Sequence, residues 1–384
     1  MATATSDNDT RLPGLPRYVR INTLKTSRSE AAKSLTATGH VPEQQSTYRA
    51  ARKGDAPAES SNRSYVPDAH VPDLLVFKPK GQSDISRIPL VASGALVVQQ
   101  KASCFPAVAL APPPGAHVID GCAAPGNKTC HLAALMGGRG TVVAFEQDAR
   151  RHQLLKEQMA LKGATTVTTV HGSFLDAEPQ DYAHVTHILL DPSCSSSGMS
   201  TSPVRDPAGI AALAAAQKTL LLHAMSFPSV RAIVYSTCSV YDEENEMVVR
   251  DVLRAQSRFV LEEALPFWPR RGHTLAADGH DDGLEARTAK RIARCVVRTL
   301  YPDDATIGFF LCRFVRADGG GDDDENTELA EKLQSLARRR ERDEKLREKR
   351  PDAAAPAAAP AAREVPQWRL ERDQKKKKRR GGTE

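Results

Sequence analysis

The sequence predicts an α/β chain in which a doubly wound, Rossmann-like parallel sheet is preceded by a small α+β domain. Five short β-type runs, HVIDG, TVVAFE, TVTTVHG, HILLDP and RAIVYS, follow one another between residues 117 and 236. Helical patterns separate them at 128–136, 148–162 and 207–227. The segment APPPG (111–115) divides this region from a shorter one that lacks this regular alternation of strands and helices. Alternating strands and helices of this kind are typical of a parallel sheet with helices on both faces.

Composition divides the chain into four parts. Residues 1–12 are polar, and we expect them to be disordered. Residues 13–110 hold short apolar runs and the strand-like PRYVRINTLK, and we expect a small α+β domain that recognises RNA, because its arginines could contact phosphate. Residues 111–316 form the larger domain. Residues 317–384 carry blocks of charge and are predicted to be a disordered tail.

The larger domain ends in two further apolar runs. They are ARCVVRTL (293–300) and GFFLCRFV (308–315). Their spacing favours a hairpin, which we expect to close the sheet at one edge.

Composition also limits the partners of the chain. Seven cysteines without a CxxC pair argue against a disulfide framework or a zinc site, so we expect reduced thiols and no metal. No apolar run approaches the roughly 18 residues of a membrane span, and the N-terminus has no secretory apolar stretch. We expect a monomer. The basic run KKKKRR (375–380) indicates import into the nucleus and nucleolus, or RNA contact, although a merely solubilising tail is the alternative.

Two cysteines lie directly beyond apolar strands. Cys238 follows AIVYST, and Cys194 follows HILLDPS. Buried cysteines usually act as small hydrophobic residues, which is the alternative for each one taken alone. Ligands of open α/β sheets bind outside the carboxyl ends of the strands, so thiols at these places could meet a substrate. Asp242 and the acids after it are predicted to cap and begin the next helix.

A nucleotide-binding corner is predicted at HVIDGCAAPGNKTCHLAALM, where a glycine-bearing turn joins a strand to a helix. The dinucleotide pattern GxGxxG is absent, and Asn127 displaces Lys128 from its place in a phosphate-binding loop. Glu146 ends the next strand, where a carboxylate suits a ribose diol. Together with Asp120 and Asp191 it favours a cationic cofactor, S-adenosylmethionine, over a pyrophosphate. Each carboxylate alone could equally be a cap or turn residue.

Four motifs closely resemble the NSUN family of RNA cytosine-5 methyltransferases. They are DGCAAPGNKT (120–129), LLDPSCSSSG (189–198), YSTCSVYDEENE (235–246) and TIGFFLCRF (306–314). The resemblance extends from PRYVRINTLK to Phe314. The most similar branch is that of the fifth member, which modifies large-subunit ribosomal RNA. The resemblance therefore implies a Rossmann-like, S-adenosylmethionine-dependent methyltransferase whose partner is RNA.

The resemblance also implies roles for particular residues. Cys238 matches the family's nucleophile, and Cys194 matches the cysteine that assists product release. Glu146 takes the ribose position together with Arg151, and Asp191 lies between cofactor and base. The residues implied to surround the cofactor, largely through their backbone, are Cys122, Ala123, Ala124, Pro125, Gly126, Asn127 and Lys128.

The sequence departs from the family pattern near this site. Ser173 stands where a carboxylate is common, which puts a contact to the adenine amine in doubt. Ser196 stands where glycine is usual. Neither departure removes a reacting group.

Cytosine chemistry explains why two thiols are useful. Carbon 5 is a poor nucleophile until a thiolate adds at carbon 6, and a second group must then help to remove the carbon-5 proton. The target base must be single-stranded or flipped out to enter such a site. The residues alone do not order the two cysteines. Two other functions remain open: a ribosome-assembly RNA-binding factor with little or no methyl transfer, and a methyltransferase that acts on a protein or a small molecule.

Overall fold

The computed structural model describes residues 12–43, 63–79, 85, 88–275 and 284–317. The predictions for the N-terminus and the charged tail fall outside these residues, apart from Leu12 and Ala317. Leu12 was expected to belong to a disordered segment, but it is buried in the hydrophobic core. No helix in the described part of the chain is both long and apolar enough to cross a membrane.

The smaller sheet contains five strands in the order β2-β3-β4-β1-β5. They are β1 (Arg17–Ile21), β2 (Val41–Pro42), β3 (Ser64–Pro67), β4 (Leu74–Phe77) and β5 (Leu96–Val98). Strand β1 lies between β4 and β5 and is antiparallel to both. Among the described residues of this domain, two helices accompany the sheet, α1 (Arg28–Ala37) and α2 (Pro89–Ala92). Ser27 and Glu30 form a capping box that begins α1.

Strand β1 corrects one prediction about phosphate contacts. All five of its residues are buried, including Arg17 and Arg20. The Arg20 guanidinium donates to Gln99 Oε1 at 2.9 Å and contacts Cys130 Sγ at 3.6 Å. Because α1 and the larger domain cover the two faces of this strand, its arginines are neither a solvated face nor available to an RNA backbone.

The larger sheet has the strand order β8-β7-β6-β9-β10-β13-β11, and β12 pairs with β13. These strands are β6 (His117–Asp120), β7 (Thr141–Glu146), β8 (Val167–His171), β9 (His187–Leu190), β10 (Ala232–Thr237), β11 (Phe259–Glu262), β12 (Val297–Thr299) and β13 (Phe309–Arg316). Strands β6 to β10 are the five predicted runs, and they are mutually parallel. The doubly wound fold class is therefore confirmed.

The predicted closing hairpin is only partly right. Strands β12 and β13 do pair antiparallel. However, β13 lies between β10 and β11, so β11 forms the edge of the sheet. The first residues of the predicted 293–300 strand instead end a helix at Cys295. Strand β11 is a short run whose position depends on pairing with a strand some fifty residues later in the chain, which local pattern does not reveal.

Six helices accompany the larger sheet. They are α3 (Lys101–Leu110), α4 (Asn127–Leu135), α5 (Ala149–Leu161), α6 (Pro207–Ala224), α7 (Glu246–Ala255) and α8 (Leu284–Cys295). Helix α3 precedes the expected domain boundary at residue 110, yet it packs against β9, β10 and β13. Nearly all its side chains are buried, which explains a composition too apolar for a surface helix.

Hydrogen bonds and a shared core join the small sheet to the larger domain. The Tyr18 hydroxyl donates to Ala305 O at 2.9 Å. The Asn22 amide donates to Gly94 O and, at 2.8 Å, to Lys162 O at the end of α5. Leu15, Tyr18 and Val76 also lie in one hydrophobic cluster with side chains of the larger domain. The small sheet is thus held against the body that carries the strand ends.

We expect Tyr18→Phe to destabilise the protein by about 1 kcal/mol, because the buried Ala305 carbonyl loses a hydrogen bond. Urea unfolding should show a lower midpoint with an unchanged slope. Tyr301→Phe is the matched control, since the Tyr301 hydroxyl bonds to Pro13 O at an exposed position. Equal midpoints for the two variants would contradict the account of this contact.

Candidate active site

The topological switch point of the larger sheet lies between β6 and β9. The chain runs outward from β6 to β7 and β8, then returns to form β9 on the other side of β6. Connections at such a point diverge and leave a crevice beyond the carboxyl ends of the strands. Asp120 ends β6, and Asp191 directly follows β9. Both carboxylates therefore lie at this crevice.

A tight turn, residues 121–126, connects β6 to α4. Ala123 N donates to Phe145 O at 2.9 Å, and Gly126 N donates to Ala123 O at 2.7 Å. Gly126 has φ +97, a left-handed conformation that favours glycine, and a Cβ there would require the end of the Met159 side chain, 2.5 Å away, to shift. The seven predicted cofactor residues, 122–128, occupy this turn and the first residues of α4.

Asp120 is buried, and one of its two carboxylate oxygens lacks a hydrogen-bond donor among the described residues. Its Oδ2 accepts a hydrogen bond from Thr129 Oγ1 at 2.7 Å, whereas Oδ1 has no hydrogen-bond partner among the described residues. Burial raises the pKa of Asp120 from 3.8 to about 7; the Thr129 hydrogen bond opposes this shift and the Asp191 charge adds to it. A buried carboxylate with an unused oxygen suits a cation placed next to it.

Glu146 and Arg151 connect the end of β7 to the glycine turn. Glu146 is buried, and its Oε1 accepts a hydrogen bond from Asp148 N at 3.0 Å. Arg151 Nη1 lies 3.6 Å from Glu146 Oε2, while Nη2 donates to Ala124 O at 2.9 Å. Arg151 therefore fixes the turn relative to Glu146. Ser173, at the end of β8, instead accepts a hydrogen bond from Leu175 N.

Cys194 and Cys238 meet at the ends of neighbouring parallel strands. Their sulfurs are 3.3 Å apart, and both thiols are free and half-buried. Strands β9 and β10 pair with Leu190 opposite Tyr235, so the two chains leave the sheet side by side. The buried thiols, which act as core residues, are others: Cys104, Cys130, Cys295 and Cys312.

The environment of the pair distinguishes its two members. The hydrogen bond from the Cys194 thiol lowers the pKa of Cys238, against burial and the Asp191 charge, and Ser196 and Lys128 lower it further. The same hydrogen bond, followed by burial, raises the pKa of Cys194 well above its ordinary value. Cys238 is therefore the member that ionises first, and Cys194 keeps its proton.

Lys128 and Ser236 hold Asp191 next to the thiols. Lys128 Nζ lies 2.6 Å from Asp191 Oδ2, and Ser236 Oγ donates to Asp191 Oδ1 at 2.6 Å. Burial alone would lower the pKa of Lys128, but the charge and hydrogen bond of Asp191 raise it overall. The ammonium group thus links the cofactor turn to the strand end that precedes Cys194.

The predicted helix cap at Asp242 is wrong. Residues Asp242–Glu244 form a short 3-10 turn, and α7 begins at Glu246. No side chain caps this helix. The acids are used elsewhere: Glu244 bonds to Ser195, while Asp242 and Glu246 bond to Arg298. These acids therefore hold the Cys194 loop and Arg298 instead of capping the helix.

Arg298 on β12 organises the loop after Cys238. It donates to Val240 O at 2.9 Å, to Asp242 Oδ1 at 2.7 Å and to both oxygens of Glu246. Asp242, Glu246 and His273 bring possible metal ligands within 4.8 Å of one another. The guanidinium already neutralises both acids, so this cluster gives no argument for a cation.

Several residues of the site have weak sequence signals. The pattern CSSSG does not show that Gly198 N bonds to Cys238 O at 2.8 Å, or that a Cβ on Gly198 would lie 2.1 Å from Gly308 O. Ser196 has φ 55, a left-handed conformation that explains why glycine is usual there. Thr129, Gln217 and Glu244 also belong to the site. Thr129 and Glu244 lie within two of the family motifs but had no predicted role, and Gln217 lies outside all four motifs.

Comparisons with known proteins assign the family. Residues 107–315 match the profile of a family described as 16S rRNA methyltransferase RsmB/F. The chain belongs to this family. Residues 15–99 match the ferredoxin-like domain of NOL1/NOP2/Sun domain family member 5. The NSUN resemblance read from the motifs is therefore confirmed, and the small sheet of this RsmB/F chain corresponds to the ferredoxin-like domain.

Individual relatives agree with the RsmB/F assignment. A mouse "28S rRNA (cytosine-C(5))-methyltransferase" is 39% identical over 79% of this chain and 63% of its own length. An Arabidopsis thaliana "25S rRNA (cytosine-C(5))-methyltransferase NSUN5" is 38% identical over 79% of this chain and 49% of its own length. The chain thus spans about half to two-thirds of these two relatives.

A solved structure of a methyltransferase homologue from Pyrococcus horikoshii has the same fold. It is 26% identical to this chain, with a TM-score of 0.60 over 79% of this chain and 87% of its own.

We expect Asp120→Asn to stabilise the cofactor-free protein more at pH 8 than at pH 5. The folded-state pKa, about 7, lies above the ordinary 3.8, so between these values the folded protein keeps a proton that the unfolded chain releases. Wild-type stability therefore falls as pH rises through this window, and the full cost, on the order of 2–4 kcal/mol, applies above it. Asparagine carries no charge and avoids that cost.

Thermal unfolding of both proteins at the two pH values measures this difference. Asp176→Asn, at an exposed position, is the control for the loss of one carboxylate. An Asp120→Asn stabilisation of the same size at pH 5 and pH 8 would show that the buried carboxyl does not titrate as described.

Proposed function

We propose that this chain is an S-adenosylmethionine-dependent RNA (cytosine-5) methyltransferase that forms 5-methylcytosine in large-subunit ribosomal RNA. The observation that carries the proposal is the pair of free thiols, 3.3 Å apart, beside Asp191. A covalent bond between Cys238 and the cytosine would be the intermediate. The names of the mouse and Arabidopsis relatives support the same reaction and the same class of RNA.

S-adenosylmethionine would occupy the crevice at the switch point and supply the methyl group. The turn residues 122–128 would hold it through their backbone, with Glu146 at the ribose and Arg151 supporting Glu146. The unpaired oxygen of Asp120 and the nearby Asp191 fit a sulfonium and an ammonium group. Ser173 offers a hydroxyl rather than a carboxylate, so any contact that it makes to adenine would be uncharged.

The two thiols would divide the chemistry of the base between them. The Cys238 thiolate adds to carbon 6, and carbon 5 then has the nucleophilic character to take up the methyl group. The carbon-5 proton must afterwards leave, and the bond between carbon 6 and sulfur must break. Cys194 is placed to take that proton once it has itself lost its thiol proton to solvent.

The thiol pair suggests why Cys194 acts late. Its pKa is raised chiefly by the hydrogen bond to the Cys238 sulfur. Once that sulfur carries a carbon, it is no longer a thiolate and this cause disappears. Cys194 would then ionise more readily at the moment when a base is needed.

The proposed partner is RNA, and the proposed cellular site of action is the nucleus and nucleolus. Residues 13–110 would help to recognise RNA, and 111–316 would carry the reaction on a single-stranded or flipped-out cytosine. Ribosomal RNA as substrate, together with the basic run 375–380, favours a nuclear and nucleolar site of action. We propose that the protein acts as a monomer.

Cys194→Ala should accumulate an RNA adduct that resists denaturant, because the intermediate forms but is released slowly. Cys238→Ala should form none. The measurement is denaturing electrophoresis after incubation with large-subunit ribosomal RNA and S-adenosylmethionine, with wild-type protein and Cys295→Ala, a buried thiol on α8, as controls.

An adduct on Cys238→Ala with none on Cys194→Ala would reverse the two roles. Calorimetry of S-adenosylmethionine binding separates the proposal from an assembly factor. An RNA-binding chain that takes up no cofactor would contradict methyl transfer.

A further inference from the structure

Glu244 lies at the centre of a buried polar network behind the two thiols. It has no solvent exposure and follows Cys238 on the 3-10 turn. Its Oε1 accepts hydrogen bonds from Ser195 N at 2.9 Å and from Gln217 Nε2 at 3.0 Å. Its Oε2 accepts a hydrogen bond from Ser195 Oγ at 2.5 Å. One carboxylate on the Cys238 loop thus binds the residue next to Cys194.

Gln217 on α6 holds the other side of Cys194. Its Nε2 also donates to Ser193 O at 3.1 Å. Its Oε1 accepts from the hydroxyl of Tyr235, which also contacts Glu244 O at 2.5 Å. The residues before and after Cys194 are therefore fixed to strand β10, the strand that leads to Cys238.

Three serine hydroxyls complete the connection. Ser195 Oγ lies 3.1 Å from both Ser197 Oγ and Ser239 Oγ, and the latter two are 3.2 Å apart. Ser239 directly follows Cys238, and Ser195 directly follows Cys194. The two thiol loops are thus joined by hydrogen bonds immediately beside the sulfurs.

We propose that Glu244 is a positioning residue that sets the distance between the Cys194 and Cys238 sulfurs. Its carboxylate accepts hydrogen bonds from the neutral groups of Ser195 and Gln217 and forms no ion pair with any described residue, so we assign it a geometric role. The consequence for product release rests on the proposed function, whereas the sulfur separation does not. Displacement of a reacting group by about 1 Å can slow a reaction by about a hundredfold. Loss of Glu244 should therefore impair release more than adduct formation.

Oxidative cross-linking measures the sulfur separation without RNA. A diazene oxidant takes two hydrogen atoms from the two thiols and becomes a hydrazine, while one bond forms between the sulfurs. Wild-type protein should form the 194–238 disulfide rapidly, as mapped by peptide mass spectrometry. Glu244→Ala should form it about tenfold more slowly, because Ser195 loses its anchor.

Glu244→Gln tests the geometric role directly. The amide oxygen can still accept from Ser195 N and Gln217, and the amide nitrogen can donate to Ser195 Oγ. Cross-linking should therefore stay within about threefold of the wild-type rate. If Glu244→Ala does not fold, Gln217→Ala replaces it, since that change frees Ser193 O and removes one bond to Glu244.

Val252→Ala is the matched control for a general loss of stability. Val252 is equally buried and lies on α7, but its side chain belongs to the hydrophobic core and makes no hydrogen bond to the Cys194 loop. This variant should lower the melting temperature and leave the cross-linking rate near that of the wild type. A rate that falls with melting temperature in both alanine variants would overturn the proposal.

Measuring the RNA adduct in the same variants tests the positioning role of Glu244 separately from the covalent mechanism. Glu244→Ala should accumulate adduct, as Cys194→Ala does, and Glu244→Gln should not. Slow cross-linking in Glu244→Ala without adduct in any variant would support positioning and contradict the covalent mechanism. Adduct on Cys194→Ala with normal cross-linking in Glu244→Ala would do the reverse.

Discussion

The parallel pairing of β9 with β10 is the constraint on which the site depends. Neighbouring strands of a sheet lie about 4.8 Å apart, so side chains just beyond two parallel strand ends can touch. Cys194 and Cys238 each follow their strand within a few residues and bring their sulfurs to 3.3 Å. An antiparallel β10 would have placed Cys238 at the opposite edge of the sheet. The sheet topology therefore brings the two thiols together, and the loops after the strands set their final separation.

Charge has to be balanced at this edge of the sheet. Asp120, Glu146 and Asp191 make the crevice attractive to a cation, but the same charges oppose a thiolate. Lys128 offsets part of this opposition, because its ammonium group neutralises Asp191 and lowers the pKa of Cys238. Arg298 similarly neutralises Asp242 and Glu246, two of the acids that follow Cys238. The site can thus hold a sulfonium and a thiolate next to each other.

Much of this arrangement could be predicted from the sequence, because it follows from local rules. Strand runs, the glycine turn and the places of Cys194 and Cys238 all follow from periodicity and from where strands end. The insertion of β13 between β10 and β11 depends on long-range pairing, which no local pattern encodes. Likewise, Arg20 looks like a solvated strand residue until the larger domain covers it, and Glu244 is one acid in an acidic run until its partners are known.

Trapping the intermediate tests the central claim most directly. RNA that carries 5-fluorocytidine has no carbon-5 proton to lose, so the enzyme should stay bonded to carbon 6 after methyl transfer. Peptide mass spectrometry of the trapped complex should place the modified cytosine on Cys238, with Cys194 unmodified. Attachment to Cys194, or no covalent complex in the presence of S-adenosylmethionine, would contradict the account.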